Sequence, residues 1–295
     1  MNASPKAKST DEQKLVVHSW IGVVVLGSGV LIILSAAWAG TPWIRMWLLA
    51  AGVYFTVKAL VLMRTPSAVA DTVRWLLFCP TLSLAGFTRR ISEGSHRALR
   101  LALAGLMDLT FGAALLWIVA RQFADTPLVA AWVGMTGLIF MMHFGGFHLI
   151  TAFWMCMGRA TEPLMQCPIA AVSLADFWGR RWNTAFRDAM NLLVFRPVAG
   201  RWNARAAQWS VFLLSGLLHE LVVSLPAGGG WGGPTLYFFL QAFGIELGRR
   251  LRIPRGIASR LWALAFLLTP VGLLFHTPFI HRVMLPFFQT LKALP

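Results

Sequence analysis

Residues 210–226 have the sequence SVFLLSGLLHELVVSLP, an apolar run that His219 and Glu220 interrupt near its middle. Runs of similar length recur along the chain, each close to the roughly 20 residues that cross the hydrocarbon of a membrane as a helix. The sequence therefore predicts an all-α, polytopic integral membrane protein with about eight transmembrane or re-entrant helices. The predicted segments cover residues 17–39, 43–63, 68–87, 101–120, 128–157, 206–225, 234–248 and 258–276.

The composition agrees with this fold class. The 295 residues are 57% hydrophobic and only 13% charged, with a mean hydropathy of +0.66. A soluble globular domain carries about one quarter charged residues, so an ordinary soluble domain is excluded. The third apolar segment contains Asp71, Arg74 and Pro80, which suit a lipid-exposed span poorly. We predict that this segment is re-entrant or interfacial.

The basic residues are distributed unevenly between the two sides of the predicted membrane domain. Lys58 lies inside a span, and nearly all the other lysines and arginines fall on the side that carries the N-terminus and the connection 158–205. The positive-inside rule places that side in the cytoplasm and explains the pI of about 11.4 without a nucleic-acid partner. The exceptions, on the opposite side, are Arg45, Arg121, Arg282 and Lys292.

The chain is predicted to form one membrane domain. Residues 1–14 are polar and are interpreted as a cytosolic N-terminal tail, followed by a membrane domain over residues 15–295. The three cysteines have no metal-ligand spacing, so we expect neither a metal site nor a bound cofactor. The composition, rich in Ala, Arg and Trp, and the compact loops favour a bacterial inner membrane.

Polar and aromatic residues are densest between Arg159 and Leu225. Ser173 and Asp176 resemble a helix start, and we expect one helix from there to about Leu193. Arginines and tryptophans in such a helix also suit an anchor at the lipid headgroups. Asn183 is harder to explain as an anchor, because a buried amide needs partners.

His219 is the strongest candidate for chemistry on residue type alone. An ionisable residue at membrane depth indicates a functional site, and a neutral imidazole can act as a general base. Glu220 points about 100° away on a helix and could equally pair with an arginine. His143 and His148 are five residues apart, a spacing that predicts divergent faces and no zinc site. We expect Asp108 and Glu246 to pair with arginines or to line a cavity.

Two motifs resemble a known family. SLADFWGRRWN, residues 173–183, followed by SGLLHE, residues 215–220, is similar to the signature of the wax synthase-like branch of the membrane-bound O-acyltransferase (MBOAT) family. The resemblance covers about residues 140–250. It implies that Asn183 and His219 are catalytic and face a chamber in the membrane. It also implies a substrate-binding set of Asp176, Phe177, Trp178, Arg180, Arg181, Trp182 and Glu220.

The resemblance implies a reaction between two lipophilic substrates. Acyl-CoA is the expected co-substrate, and the first hypothesis is acyl transfer to a long-chain alcohol, which makes a wax ester. The second is transfer to another lipophilic hydroxyl, of a terpenoid, sterol, glycolipid or diacylglycerol. The third is a non-catalytic lipid-binding protein or transporter, in which His219 is a proton-relay or structural residue. Burial of His219 in a closed bundle, with no cavity joining it to Asn183, would favour this third hypothesis, and a tunnel open at both ends would favour an enzyme. Membrane lipids are expected partners, and no nucleic acid or protein partner is predicted.

Overall fold

The computed structural model describes residues 5–65, 69–82, 87–90 and 95–295. Within these residues the chain is helical, and β-structure is limited to an isolated bridge between Arg90 and Arg159. The first five helices, in chain order, are α1 (Pro5–Ala36), α2 (Pro42–Arg64), α3 (Val69–Phe78), α4 (His96–Phe123) and α5 (Pro127–Cys156). The others are α6 (174–181), α7 (184–201), α8 (Ala204–Ala227), α9 (Gly233–Arg250), α10 (Ile257–Leu274) and α11 (277–290).

The predicted all-α membrane fold is confirmed. Among the described residues, the five helices α2, α4, α5, α8 and α10 are long and apolar enough to cross a membrane, and each coincides with a predicted segment. The apolar part of α1, Trp20–Ala36, is shorter. Helix α3 has ten residues, about 15 Å, and therefore cannot cross, as expected for a re-entrant or interfacial segment. Of the predicted tail, residues 1–4 lie outside the described residues and residues 5–14 belong to α1.

Close helix contacts fix the relative positions of the spans. A Cβ on Gly112 of α4 would lie 2.5 Å from the carbonyl oxygen of Gly137 of α5, and a Cβ on Gly137 would lie 2.6 Å from that of Gly112. Only glycine permits this approach, which is typical of helix pairs in membranes. The tight crossing of α4 and α5 brings Asp108 against His148.

The predicted single helix from Ser173 to about Leu193 is wrong. Ser173 does begin a helix, since its hydroxyl accepts from the Asp176 N–H at 3.1 Å. The helix then stops at Trp182, which is extended, and Asn183 adopts a left-handed conformation with φ of 43°. Asparagine tolerates this conformation better than most residues, and it also starts the next helix. Trp178 and Phe186 therefore lie on two different helices.

Lys58 holds the short helix α3 against α2. Its side chain is fully buried, and Nζ donates to the carbonyl oxygens of Trp75, Leu76 and Cys79 at 2.6, 3.1 and 2.6 Å. The ammonium group thus lies at the C-terminal end of α3, where the helix dipole and free carbonyls favour a cation. The lysine in the second span is explained by this contact.

Replacing Lys58 with methionine removes the ammonium group and keeps a long apolar side chain. Because the helix-end carbonyls lose a charged donor in a buried position, we expect the variant to unfold at lower temperature in detergent, with a loss of about 1.5–3 kcal/mol. Arg64→Gln is the matched control, since Arg64 is an exposed cation at the end of the same helix. Equal unfolding temperatures for the two variants would contradict this role.

Candidate functional site

His219 lies where α8 changes from α-helical to π-helical geometry. The α-helical part ends at His219, and residues Glu220–Ser224 form a π-helical turn. Nδ1 of His219 is 2.7 Å from the carbonyl oxygen of Ser215. A carbonyl can only accept, so in the neutral ring Nδ1 carries the hydrogen and Nε2 keeps its lone pair. No described residue hydrogen-bonds Nε2, which leaves it free to accept a proton.

Asn183 has a local structural role that the sequence did not reveal. Its side-chain oxygen accepts from the Phe186 N–H at 3.2 Å and caps α7, while its own N–H contacts the sulfur of Met165 at 3.3 Å. The side-chain nitrogen Nδ2 donates to none of the described residues. Asn183 therefore presents an amide donor from a fixed backbone position.

A series of aromatic rings connects the two residues. Trp182, next to Asn183, stacks on Phe177 at 5.5 Å between ring centroids, and Phe177 contacts Trp178 at 5.1 Å. Trp178 contacts Phe238 at 5.6 Å, and Phe238 contacts the His219 ring at 4.5 Å. Ring contacts through α6 and Phe238 thus connect the segment that holds Asn183 with His219. Among the described residues, no hydrogen bond joins Asn183 to His219 directly.

His143 and His148 have different partners near the segment that holds Asn183. His143 stacks on Trp182 at 6.0 Å, and its buried Nδ1 has no hydrogen-bond partner among the described residues. His148 lies 3.4 Å from the carbonyl oxygen of Met165. Residues Phe140–Gly146 are π-helical, and the wider turn brings residues five apart nearer to one face. Both histidines therefore approach the segment that holds Asn183.

The predicted acid–base pairings are partly corrected. Asp108 pairs with His148 at 3.3 Å and not with an arginine, because the close α4–α5 crossing brings the two together. Glu246 pairs with three arginines, as expected. Glu220 pairs with no arginine among the described residues. Its Oε1 accepts from the N–H and hydroxyl of Thr235, both at 3.0 Å, because it faces the free N–H groups in the first turn of α9.

Asp176 organises both arginines of the first motif. Its buried carboxylate accepts from Nε of Arg180 and Nε of Arg181, each at 2.7 Å. Burial raises the pKa of Asp176, but hydrogen bonds from the Val172 N–H, Arg181 and Arg180 outweigh burial and hold it below its usual range. Arg181 also faces the carbonyls of Gln166 and Cys167, whereas 72% of the Arg180 side chain is exposed. Arg180 is therefore the freer of the two to meet a ligand.

Residues outside the motifs complete this region. Trp178 donates from Nε1 to the side-chain oxygen of Gln241 at 3.2 Å, and the fully buried Gln241 donates to the carbonyl of Phe266 at 2.7 Å. Sequence reasoning missed Gln241, Phe238 and Met165. A glutamine in the middle of an apolar helix was a usable signal for Gln241, since a buried amide must find partners. Phe238 and Met165 carried no such signal.

A shallow cavity of about 500 Å³, wide open to the surface, lies beside Glu220 between α8 and α9. Its remaining wall is mostly apolar, and the outer side chains Trp231, Leu236 and Phe239 are exposed. The second carboxylate oxygen of Glu220 is buried without a hydrogen-bond partner among the described residues. Neither His219 nor Asn183 lines this cavity, although His219 is the chain neighbour of Glu220.

These features define a polytopic helical membrane protein in which His219 and Asn183 each keep an unpaired side-chain nitrogen among the described residues. Residues 161–241, which contain both motifs, match the Membrane bound O-acyl transferase family. The resemblance that the two motifs indicated is thereby confirmed.

The chain is similar to several plant acyltransferases. The chain is 30% identical over 151 residues to a probable long-chain-alcohol O-fatty-acyltransferase 9 of Arabidopsis thaliana, covering 44% of each protein. It is 37% identical over 73 residues to the long-chain-alcohol O-fatty-acyltransferase of Simmondsia chinensis, covering 22% of this chain and 21% of the relative. An acyl-CoA–sterol O-acyltransferase 1 of Arabidopsis thaliana is 34% identical over 68 residues, or 21% and 20%. The chain thus spans less than half the length of these relatives.

Replacing Asp176 with asparagine removes the shared anion of Arg180 and Arg181. We expect a loss of about 2 kcal/mol of unfolding free energy at pH 7. Because the pKa of Asp176 is lower in the folded state, its contribution is present above about pH 4 and is lost as the pH falls through the folded value. The difference from wild type should therefore shrink in acid. Asp125→Asn, at an exposed position, is the control, and a difference that stays constant with pH would contradict the assignment.

Proposed function

We propose that this protein is an O-acyltransferase that moves a fatty acyl group from acyl-CoA to the hydroxyl of a long-chain alcohol, making a wax ester. The observation that carries the proposal is the hydrogen bond from His219 Nδ1 to the Ser215 carbonyl, which leaves Nε2 as a proton acceptor at membrane depth. The family match and the relatives named for the same reaction support it.

In the proposed reaction Nε2 of His219 takes the proton of the alcohol as its oxygen attacks the thioester carbonyl. The carbonyl oxygen gains negative charge, and Nδ2 of Asn183 is the donor we assign to it. When the carbon–sulfur bond breaks, the thiolate takes the proton from His219 and leaves as CoA. The new carbon–oxygen bond completes the ester, and His219 returns to its neutral form.

The surroundings favour transfer to a lipid alcohol over hydrolysis. The aromatic rings between Asn183 and His219 keep water scarce, and holding both substrates in one site lowers the barrier through proximity. Five residues of the first motif act in this proposal mainly as positioning residues, because each contacts another group within the protein. They are Asp176, Phe177, Trp178, Arg181 and Trp182. The cavity beside Glu220 is our candidate for the acceptor chain.

A sterol is the second candidate acceptor, because one of the relatives is named for acyl-CoA–sterol transfer. Acyl-CoA is expected from the cytoplasmic side, where the charge bias also places the N-terminus. The expectation of a bacterial inner membrane gains no support from the three relatives described, which are plant proteins. The membrane integration itself rests on the five apolar spans.

Removing the base should abolish ester formation. We expect His219→Ala to lower kcat by about 10²–10⁴-fold with acyl-CoA and a long-chain alcohol, measured by mass detection of the ester. His96→Ala, at an exposed position, is the control and should keep wild-type activity. A His219→Ala protein that still makes ester at the wild-type rate would contradict the proposal.

Asn183 has a structural and a proposed chemical role, and two substitutions separate them. Asn183→Asp keeps the oxygen that caps α7 and loses the Nδ2 donor, so we expect a folded protein with kcat lowered by about 10²–10³-fold. Asn183→Ala loses the cap as well and should unfold at lower temperature, by about 1–2 kcal/mol.

The matched control is Asn203→Asp. Asn203 caps α8 in the same way, accepting from the Ala206 N–H at 2.8 Å, and lies outside the aromatic series. It should keep both stability and activity. Equal activity of Asn183→Asp and wild type would show that Asn183 is only a helix cap.

A further inference from the structure

Three arginines converge on one partly buried carboxylate at the predicted cytoplasmic end of α8 and α9. Glu246 pairs with Arg205 at 3.2 Å, with Arg249 at 3.2 Å and with Arg250 at 3.0 Å. Only 14% of the Glu246 side chain is exposed, whereas the arginine side chains are 54%, 57% and 61% exposed. We call these four residues the Glu246 cluster. It carries an excess of positive charge toward the solvent.

Hydrogen bonds and ion pairs within the protein hold the arginines of the cluster in place, and their guanidinium groups still have N–H donors without a partner among the described residues. Arg250 uses Nε toward Glu246, and Arg249 uses Nη2 toward both Glu246 and the side-chain oxygen of Gln208, the latter at 2.7 Å. The other N–H groups of these guanidinium groups have no partner among the described residues. A guanidinium group offers five donors in a fixed plane, so each arginine can bind a phosphate while keeping its contact with Glu246.

The position of the cluster relative to His219 matches an extended thioester substrate. Arg205 and His219 are 14 residues apart on α8, which places them within about 40° of one face and about 21 Å apart along the axis. The pantetheine arm of CoA has about as many bonds along its length as a peptide of four to five residues. A chain of that length is about 16 Å long when extended. The side chains at both ends can span the remaining distance.

We propose that the Glu246 cluster is a site for clustered phosphate groups and that its ligand is the diphosphate and 3′-phosphate of acyl-CoA. This inference rests on the proposed function, because it takes acyl-CoA as the donor. Phosphates of anionic lipid headgroups have the same chemistry and are the other possible source. The cluster lies outside both sequence motifs and adds to Arg180. At Arg180 two arginines share one carboxylate, whereas three arginines share one in the Glu246 cluster, which therefore has the larger excess of positive charge.

The test is equilibrium binding of CoA to the full-length protein in nanodiscs of neutral lipid. We expect Arg205→Gln, Arg249→Gln and Arg250→Gln each to weaken CoA binding about tenfold, through the loss of a charge-assisted contact. Pantetheine, which lacks the phosphates, should bind all variants alike. Arg260→Gln is the control, since Arg260 is exposed on the same predicted side and forms no ion pair among the described residues. Arg250→Lys, which keeps the charge, should recover part of the affinity.

Each remaining outcome has one meaning. Arginine variants that bind CoA like wild type overturn the assignment to CoA. If those variants instead lose stabilisation by added anionic lipid, the site takes headgroups. If CoA binding falls as expected while no acceptor alcohol is esterified by the wild type, the proposed function fails and the phosphate site stands. If ester forms and the variants keep their KM for acyl-CoA, the phosphate site fails and the proposed function stands.

Discussion

A polar group that this chain carries into the membrane is stabilised when it finds a partner within the protein, and this constraint governs the architecture. Hydrocarbon offers no hydrogen bonds, so an unpaired polar group costs several kcal/mol. Lys58 meets the constraint by capping α3, and Gln241 meets it by linking Trp178 to the carbonyl of Phe266. These contacts fix short, irregular helices against the long spans. The contact between Gln241 and Trp178 holds the aromatic helix α6 in position.

His219 differs from these residues because only one of its ring nitrogens is paired. The Ser215 carbonyl fixes the hydrogen on Nδ1, and Nε2 keeps an unused lone pair. Asn183 is similar, since its oxygen caps α7 and its Nδ2 has no described partner. Lys58 is paired with three carbonyl oxygens. In contrast, an acceptor of His219 and a donor of Asn183 are unused at the two ends of the aromatic series. That contrast is the physical basis for proposing chemistry there.

The spans were predictable because apolar runs and helix length depend only on local sequence. The Ser173 cap was predictable for the same reason. The break at Trp182 was not, because it involves tertiary contacts with the preceding loop: the Asn183 N–H contacts the sulfur of Met165, and the Thr184 N–H donates to the carbonyl oxygen of Leu164. Helical faces were predicted with a period of 3.6 residues, and the π-helical turns at 140–146 and 220–224 change that period where the histidines lie. The partner of Glu220 likewise depends on how α9 begins, which tertiary packing decides.

The most direct measurement is a cryo-electron microscopy structure with a non-reactive acyl-CoA analogue and a long-chain alcohol bound together. We expect the alcohol oxygen to lie within about 2.6–3.2 Å of Nε2 of His219, and the acyl carbonyl oxygen to lie within hydrogen-bond distance of Nδ2 of Asn183. An alcohol bound with its hydroxyl away from His219, or a closed bundle around His219 that excludes both ligands, would contradict it.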